Sequence, residues 1–66
     1  MTQKLSYERY IWFDGLVRAG KFPNAATLAA RFEISVRQAG RDLEFMKYRL
    51  RAPLRYDPGR RGYKYG

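Results

Sequence analysis

Two arginines one helical turn apart, Arg37 and Arg41, follow a serine that can cap a helix, and two more, Arg60 and Arg61, stand together in a glycine-bounded turn. A guanidinium is a planar fork of donors that chelates carboxylate, phosphate or the O6 and N7 edge of guanine. A glutamine amide such as that of Gln38 can pair with N6 and N7 of adenine. Such groups near the start of a helix can enter a major groove, with Ser35, Val36 and Gly40 completing the surface. An arginine pair at a hairpin tip suits a minor groove or flanking phosphates. The chain has no cysteine and no histidine. The usual zinc ligands and the commonest general base are therefore missing, which points to a binding protein and not an enzyme, with no cofactor or metal.

Each group also has a plainer role. Arg37 and Arg41 can form a solvated helix face, with Arg41 paired to Glu44 or Asp42. Gln38 can turn back to the backbone of Ser35, and Arg60-Arg61 can be a solubilising turn.

These side chains need a helix and a hairpin to hold them. Ser35 and Gln38 have the spacing of a capping box, and Ile34 can staple onto Ala39, so a helix begins at Val36. It runs to Tyr48 or Leu50, before Ala52-Pro53 stops it. At about 100° per residue, Val36, Ala39, Leu43, Met46 and Leu50 share one side while Arg37, Arg41, Glu44 and Tyr48 share the other. Phe45 fits neither line and is expected under the hairpin. Gly40 lowers helix propensity and leaves the backbone bare, which close approach of a DNA backbone or base edge would tolerate, or it is a neutral glycine.

Upstream, Asn24 caps a short helix over 25–32, with Leu28 and Phe32 inward and Ala29 small enough for a crossing helix. Glu33-Ile34-Ser35 is then the tight turn of a helix-turn-helix, with Glu33 where glycine is often found. A first helix is expected over 6–19, capped by Ser6, stapled by Leu5 on Tyr10 and stopped by Gly20. Its core face is Tyr10, Phe13 and Val17, flanked by Leu16 and Tyr7. Ile11 and Trp12 fall off that face, so they either cover the core edge or meet a partner. Close approach of another backbone would explain Gly15. At the other end, Leu54-Arg55-Tyr56-Asp57 and Tyr63-Lys64-Tyr65 alternate around a Pro-Gly turn, which reads as a hairpin over 54–65. Its inner aromatic face should lie on the third helix, leaving Gly59-Arg60-Arg61-Gly62 in solvent. The fold class is mainly α with a small β-hairpin: a winged helix-turn-helix of three helices followed by a two-stranded wing.

With 66 residues the chain is one domain, and its formal charge of +8 is uneven. Met1 to Ile34 holds five basic and three acidic residues, against nine and three from Ser35 to Gly66. A basic half attracts polyanions, nucleic acid first and an anionic membrane surface second. No run of about 18 apolar residues occurs and no signal-peptide segment opens the chain, so a soluble, unexported protein with no membrane partner is expected. Gly59 to Gly62 matches the GxxG spacing of RNA-clamping KH loops only weakly, because strand-like segments flank it. No phosphate-binding loop is present, since no lysine followed by serine or threonine succeeds either glycine.

Three stretches together resemble the N-terminal winged-helix domain of bacterial transcription regulators that carry a WYL effector domain, close to the DeoR-like group. They are Leu28 to Ser35, Arg37-Gln38-Ala39 with Arg41-Asp42-Leu43-Glu44, and Ala52 to Asp57 leading to Arg61-Gly62-Tyr63-Lys64-Tyr65. The resemblance covers Tyr7 to Tyr65. It implies a cytoplasmic regulator that binds double-stranded operator DNA, often as a homodimer, with Arg37 and Arg41 on matching recognition-helix positions. Where Gly40 stands, family members usually carry a long polar residue. Such regulators are also several times longer, which implies a DNA-binding fragment with its effector domain absent from this chain. Two other functions stay open at this level: a winged helix for protein contact, anchored by Ile11 and Trp12, and RNA binding through the basic hairpin.

Overall fold

The computed structural model describes residues 2–66, with side chains from Tyr7 onward. In chain order the elements are α1 (Thr2–Arg18), α2 (Ala25–Phe32), α3 (Val36–Tyr48), β1 (Leu54–Asp57) and β2 (Gly62–Tyr65). The two strands pair antiparallel, with Leu54 opposite Tyr65 and Asp57 opposite Gly62. This is the winged helix-turn-helix arrangement, mainly helical with a small hairpin. Among the described residues no helix is long and apolar enough to cross a membrane.

α1 starts earlier than its capping signal implied, at Thr2, so Ser6 lies inside it and is not its cap. The side chains of Ser6 and Leu5, and with them the staple on Tyr10, lie outside the described residues. The helix closes as anticipated with Gly20 in the left-handed region, φ 72°. Gly15 is not crowded by another backbone; an added Cβ there would meet nothing within 4 Å.

α2 begins at a complete capping box. Asn24 Oδ1 accepts from the Thr27 N–H at 3.0 Å while Thr27 Oγ1 accepts from the Asn24 N–H at 3.2 Å. It ends at Glu33, which takes φ 55° and ψ 43° so that its own N–H and that of Ile34 can reach back to the Ala29 carbonyl. A Cβ in this region is strained, which is why glycine is usual at such a position.

The core joins Phe13 and Val17 of α1, Leu28 of α2, Ala39, Leu43 and Met46 of α3, and Leu54 of β1. Two residues assigned to it by periodicity are outside. Val36, in the first turn of α3, lies beyond the edge of the core and is 58% exposed; Leu50 follows the end of the helix at Tyr48, loses its periodicity and is 54% exposed. Phe45 does not pack under the hairpin. It stacks on Tyr10 of α1, ring centroids 5.3 Å apart and planes 13° from parallel, because α1 crosses on that side of α3.

The hairpin also leans elsewhere than its pattern implied. Its second strand lies on α1 and not mainly on α3: Tyr63 meets Phe13 edge-on, and the Tyr65 hydroxyl donates to Asp14, which also accepts from Arg18 Nε at 2.9 Å. The connection between α1 and α2 secures it. The Tyr63 N–H donates to the Pro23 carbonyl at 2.8 Å, and a Cβ on Gly62 would fall 1.8 Å from the Phe22 oxygen, so only glycine fits there.

Two expectations follow. Replacing Glu33 by glycine relieves the left-handed strain, partly offset by the freer unfolded chain, and should raise unfolding stability by about 0.5–1 kcal/mol, read as a higher urea midpoint at constant slope. Burial, then the hydrogen bond to Asp14 and its charge, push the Tyr65 phenol from its ordinary 10.0 up to about 12. A pKa raised on folding gives stability that is complete below the unfolded value and lost as pH rises through the folded one. Stability should therefore fall between about pH 10 and 12, and Tyr65→Phe should flatten that part of the profile in denaturation series.

Candidate nucleic-acid interface

Ser35 starts α3 from an extended conformation, its hydroxyl accepting from the Gln38 N–H at 3.0 Å. The reciprocal half of the capping box is not made. Gln38 instead donates its side-chain Nε2 to Asp42 Oδ1 at 3.1 Å, one turn along the inner flank of the helix. Asp42 is buried, and its main partner is Arg9 of α1, whose Nε and Nη2 reach the two carboxylate oxygens at 2.6 and 3.2 Å. A carboxylate that can accept from both sides explains the difference: the charge-assisted bond to Asp42 wins over a neutral bond to a backbone N–H already exposed to water.

This network decides which face of α3 is free. Asp42 and Gln38 face α1. Ser35, Val36, Arg37 and Arg41 are exposed on the outside, and neither arginine enters an ion pair among the described residues, so the alternative pairing of Arg41 with Asp42 or Glu44 is not made. Gln38 is half-buried, with one N–H of its side-chain amide committed to Asp42.

Between α3 and the hairpin runs an open groove of about 410 Å³, with Arg37, Gly40, Arg41 and Lys47 on the helix side and Leu54 and Tyr63 on the hairpin side. Glu44 and Tyr48 line it as well. Lys47 and Tyr63 were not among the residues singled out from sequence. Lys47 lies seven residues, two turns, beyond Gly40, a spacing that could have placed it on the same flank. Tyr63 depends on the hairpin's register, which the alternation of strand residues does not specify.

Arg60 and Arg61 are exposed, yet they do not line this groove. The tip bends to the loop before α2, where Arg60 lies over the Phe22 ring at 4.7 Å and the Arg61 carbonyl accepts from Asn24 Nδ2 at 2.8 Å. Asp57 Oδ1 shapes the turn by accepting from the Gly59 and Arg60 N–H groups at 2.9 and 3.2 Å. The tip is therefore a tethered cationic corner and not a loop free in solvent. Behind it, exposed Arg55 and Lys64 sit directly opposite in the ladder, a like-charge pair that is unfavourable in the isolated protein.

No family model, curated protein or solved structure matches this chain.

The carboxylates help to explain the field. Asp14, Asp42 and Asp57 are all engaged in internal bonds, and Asp14 shows the balance: burial raises its pKa, but the hydrogen bonds from Tyr65 and Arg18 and the Arg18 charge outweigh that and leave it lowered. What remains on the groove side is Arg37, Arg41 and Lys47 against Glu44. Elsewhere, Trp12 packs edge-on to Phe32 at 5.6 Å, with Arg31 over its ring, while Ile11 stays exposed. A second, more apolar concavity of about 600 Å³ lies between α1 and the end of α3, around Ile11, Met46, Leu50 and Pro53.

Removing one partner of a buried, bidentate pair leaves an uncompensated charge and costs about 3–5 kcal/mol. A single core in a domain this small supplies about that much in total. Asp42→Ala should therefore be largely unfolded at 25 °C by circular dichroism. Gln38→Ala, which leaves the Arg9 bonds in place, should fold with a loss of about 1–2 kcal/mol.

Proposed function

We propose that this chain is a sequence-specific double-stranded DNA-binding module, the part of a cytoplasmic bacterial transcription regulator similar to the WYL-domain, DeoR-like group that contacts the operator. The observation that carries the reading is the pair Arg37 and Arg41: one turn apart, exposed, without an ion pair among the described residues, and opening into a groove beside the hairpin. A helix with its side chains is about 10–12 Å across and the major groove about 12 Å wide, so α3 fits with this face inward. There the two guanidiniums can chelate guanine edges, which discriminates between bases by about 1–3 kcal/mol per bidentate pair. The tethered Arg60-Arg61 corner and the net charge of +8 supply sequence-independent attraction to phosphate.

Selection from a random duplex pool at moderate salt tests this. Recovery of one enriched motif is expected, and two half-sites about one helical turn apart would mean that it binds as a homodimer. On the selected duplex, Arg41→Ala should weaken binding about tenfold or more and relax the preference at one base position. Arg18→Ala, whose guanidinium is paired with Asp14 on α1, should stay within about twofold. Affinity should fall linearly on a log–log plot against salt. No enrichment, or equal losses from the two substitutions, would refute the reading; preference for an RNA duplex or hairpin over matched DNA would replace it with RNA binding.

A further inference from the structure

Resting on the duplex-binding reading, one position of α3 has a property that the protein's own packing does not explain. Gly40 lies well inside a 13-residue helix, where glycine is about 1 kcal/mol worse than alanine. Nothing in the fold requires it. Its φ is not positive, and an added Cβ would meet nothing within 4 Å. Gly15 in α1 shares that openness, but it is exposed and outside the groove, whereas Gly40 is half-buried in the groove wall between Arg37 and Arg41.

At about 100° per residue, Gly40 and Lys47 lie on the flank of α3 between the outward arginines and the hairpin. A helix in a major groove whose following hairpin reaches the adjacent minor groove must straddle the one sugar–phosphate strand that separates the two grooves. The space for that strand is the groove between α3 and the hairpin. We infer that this groove seats one sugar–phosphate strand of the duplex, with a deoxyribose against the bare helix backbone at Gly40. The adjoining phosphate falls to Lys47. Glu44, one turn past Gly40, disfavours a phosphate at its own level and favours the uncharged sugar there. Contacts to the strand position a protein without specifying sequence. Gly40 therefore sets how closely α3 approaches every duplex, and not which bases it prefers.

The test pairs Gly40→Ala with Gly15→Ala, and includes Arg41→Ala, measuring thermal midpoints and binding to both the selected duplex and a random-sequence duplex pool at low salt. Both glycine substitutions should raise the midpoint by about 4–8 °C, since each replaces a helix-interior glycine in a small domain without a clash. Gly40→Ala should nevertheless weaken binding to both DNAs by a similar factor, about tenfold, while Gly15→Ala changes neither by more than about twofold. If Gly40→Ala binds like the unsubstituted chain while Arg41→Ala loses affinity, the strand assignment is wrong and the duplex reading stands. A changed sequence preference in Gly40→Ala would also overturn it, by placing a base edge at that position. Failure of the unsubstituted chain to bind either DNA would remove both.

Discussion

The arrangement depends on one buried ion pair. Arg9 and Asp42 are each under a tenth exposed, and they link the first helix to the third across 33 residues of sequence. Burying two charges is costly, and their mutual attraction offsets that only when geometry is close and the remaining lone pairs are used. Both conditions hold: the contact is bidentate, and Gln38 supplies a further donor to Asp42. An apolar contact in the same place would stabilise as well or better, but it would tolerate rotation of α3 about its axis. A bidentate pair does not. These bonds and the buried Ala39, Leu43 and Met46 together hold the inner face of α3, which leaves Arg37 and Arg41 outward.

A second constraint is how few carboxylates the chain has and how it uses them. Asp42 joins two helices, Asp14 ties the end of β2 to α1 with Arg18, and Asp57 forms the hairpin turn. The glutamates Glu8, Glu33 and Glu44 are exposed and scattered. The three aspartates thus go into structure, while most of the positive charge stays on the surface with only the glutamates to offset it. Exposed cations with no acidic partner among the described residues, some facing one another as Arg55 and Lys64 do, make the free molecule electrostatically uncomfortable and a polyanion attractive.

Local signals made much of the fold legible. Asn24 and Ser35 mark the starts of α2 and α3, the Pro-Gly turn marks the hairpin, and the left-handed backbone at Glu33 was foreshadowed by its place in a tight turn. Arg37 and Arg41 were legible as outward residues because helical period alone separates them from Ala39 and Leu43. What stayed hidden depends on crossings. The partner of Gln38 is Asp42 and not Ser35, because Arg9 brings α1 across and makes that carboxylate the stronger acceptor. Phe45 meets Tyr10, β2 meets α1, and the Arg60-Arg61 tip meets Phe22 and Asn24, for the same reason: contacts 35 or more residues apart leave no trace in periodicity.

Backbone amide chemical-shift mapping during titration with duplex DNA tests most directly the claim that α3 presents its outer face to a duplex while its inner face is held by α1. The account predicts shifts confined to Ser35 through Arg41, Lys47 and the hairpin from Arg60 to Tyr63, with Arg9, Ile11, Met46 and Leu50 unmoved. Shifts centred on Ile11, Met46 and Leu50, or none at any salt, would contradict it.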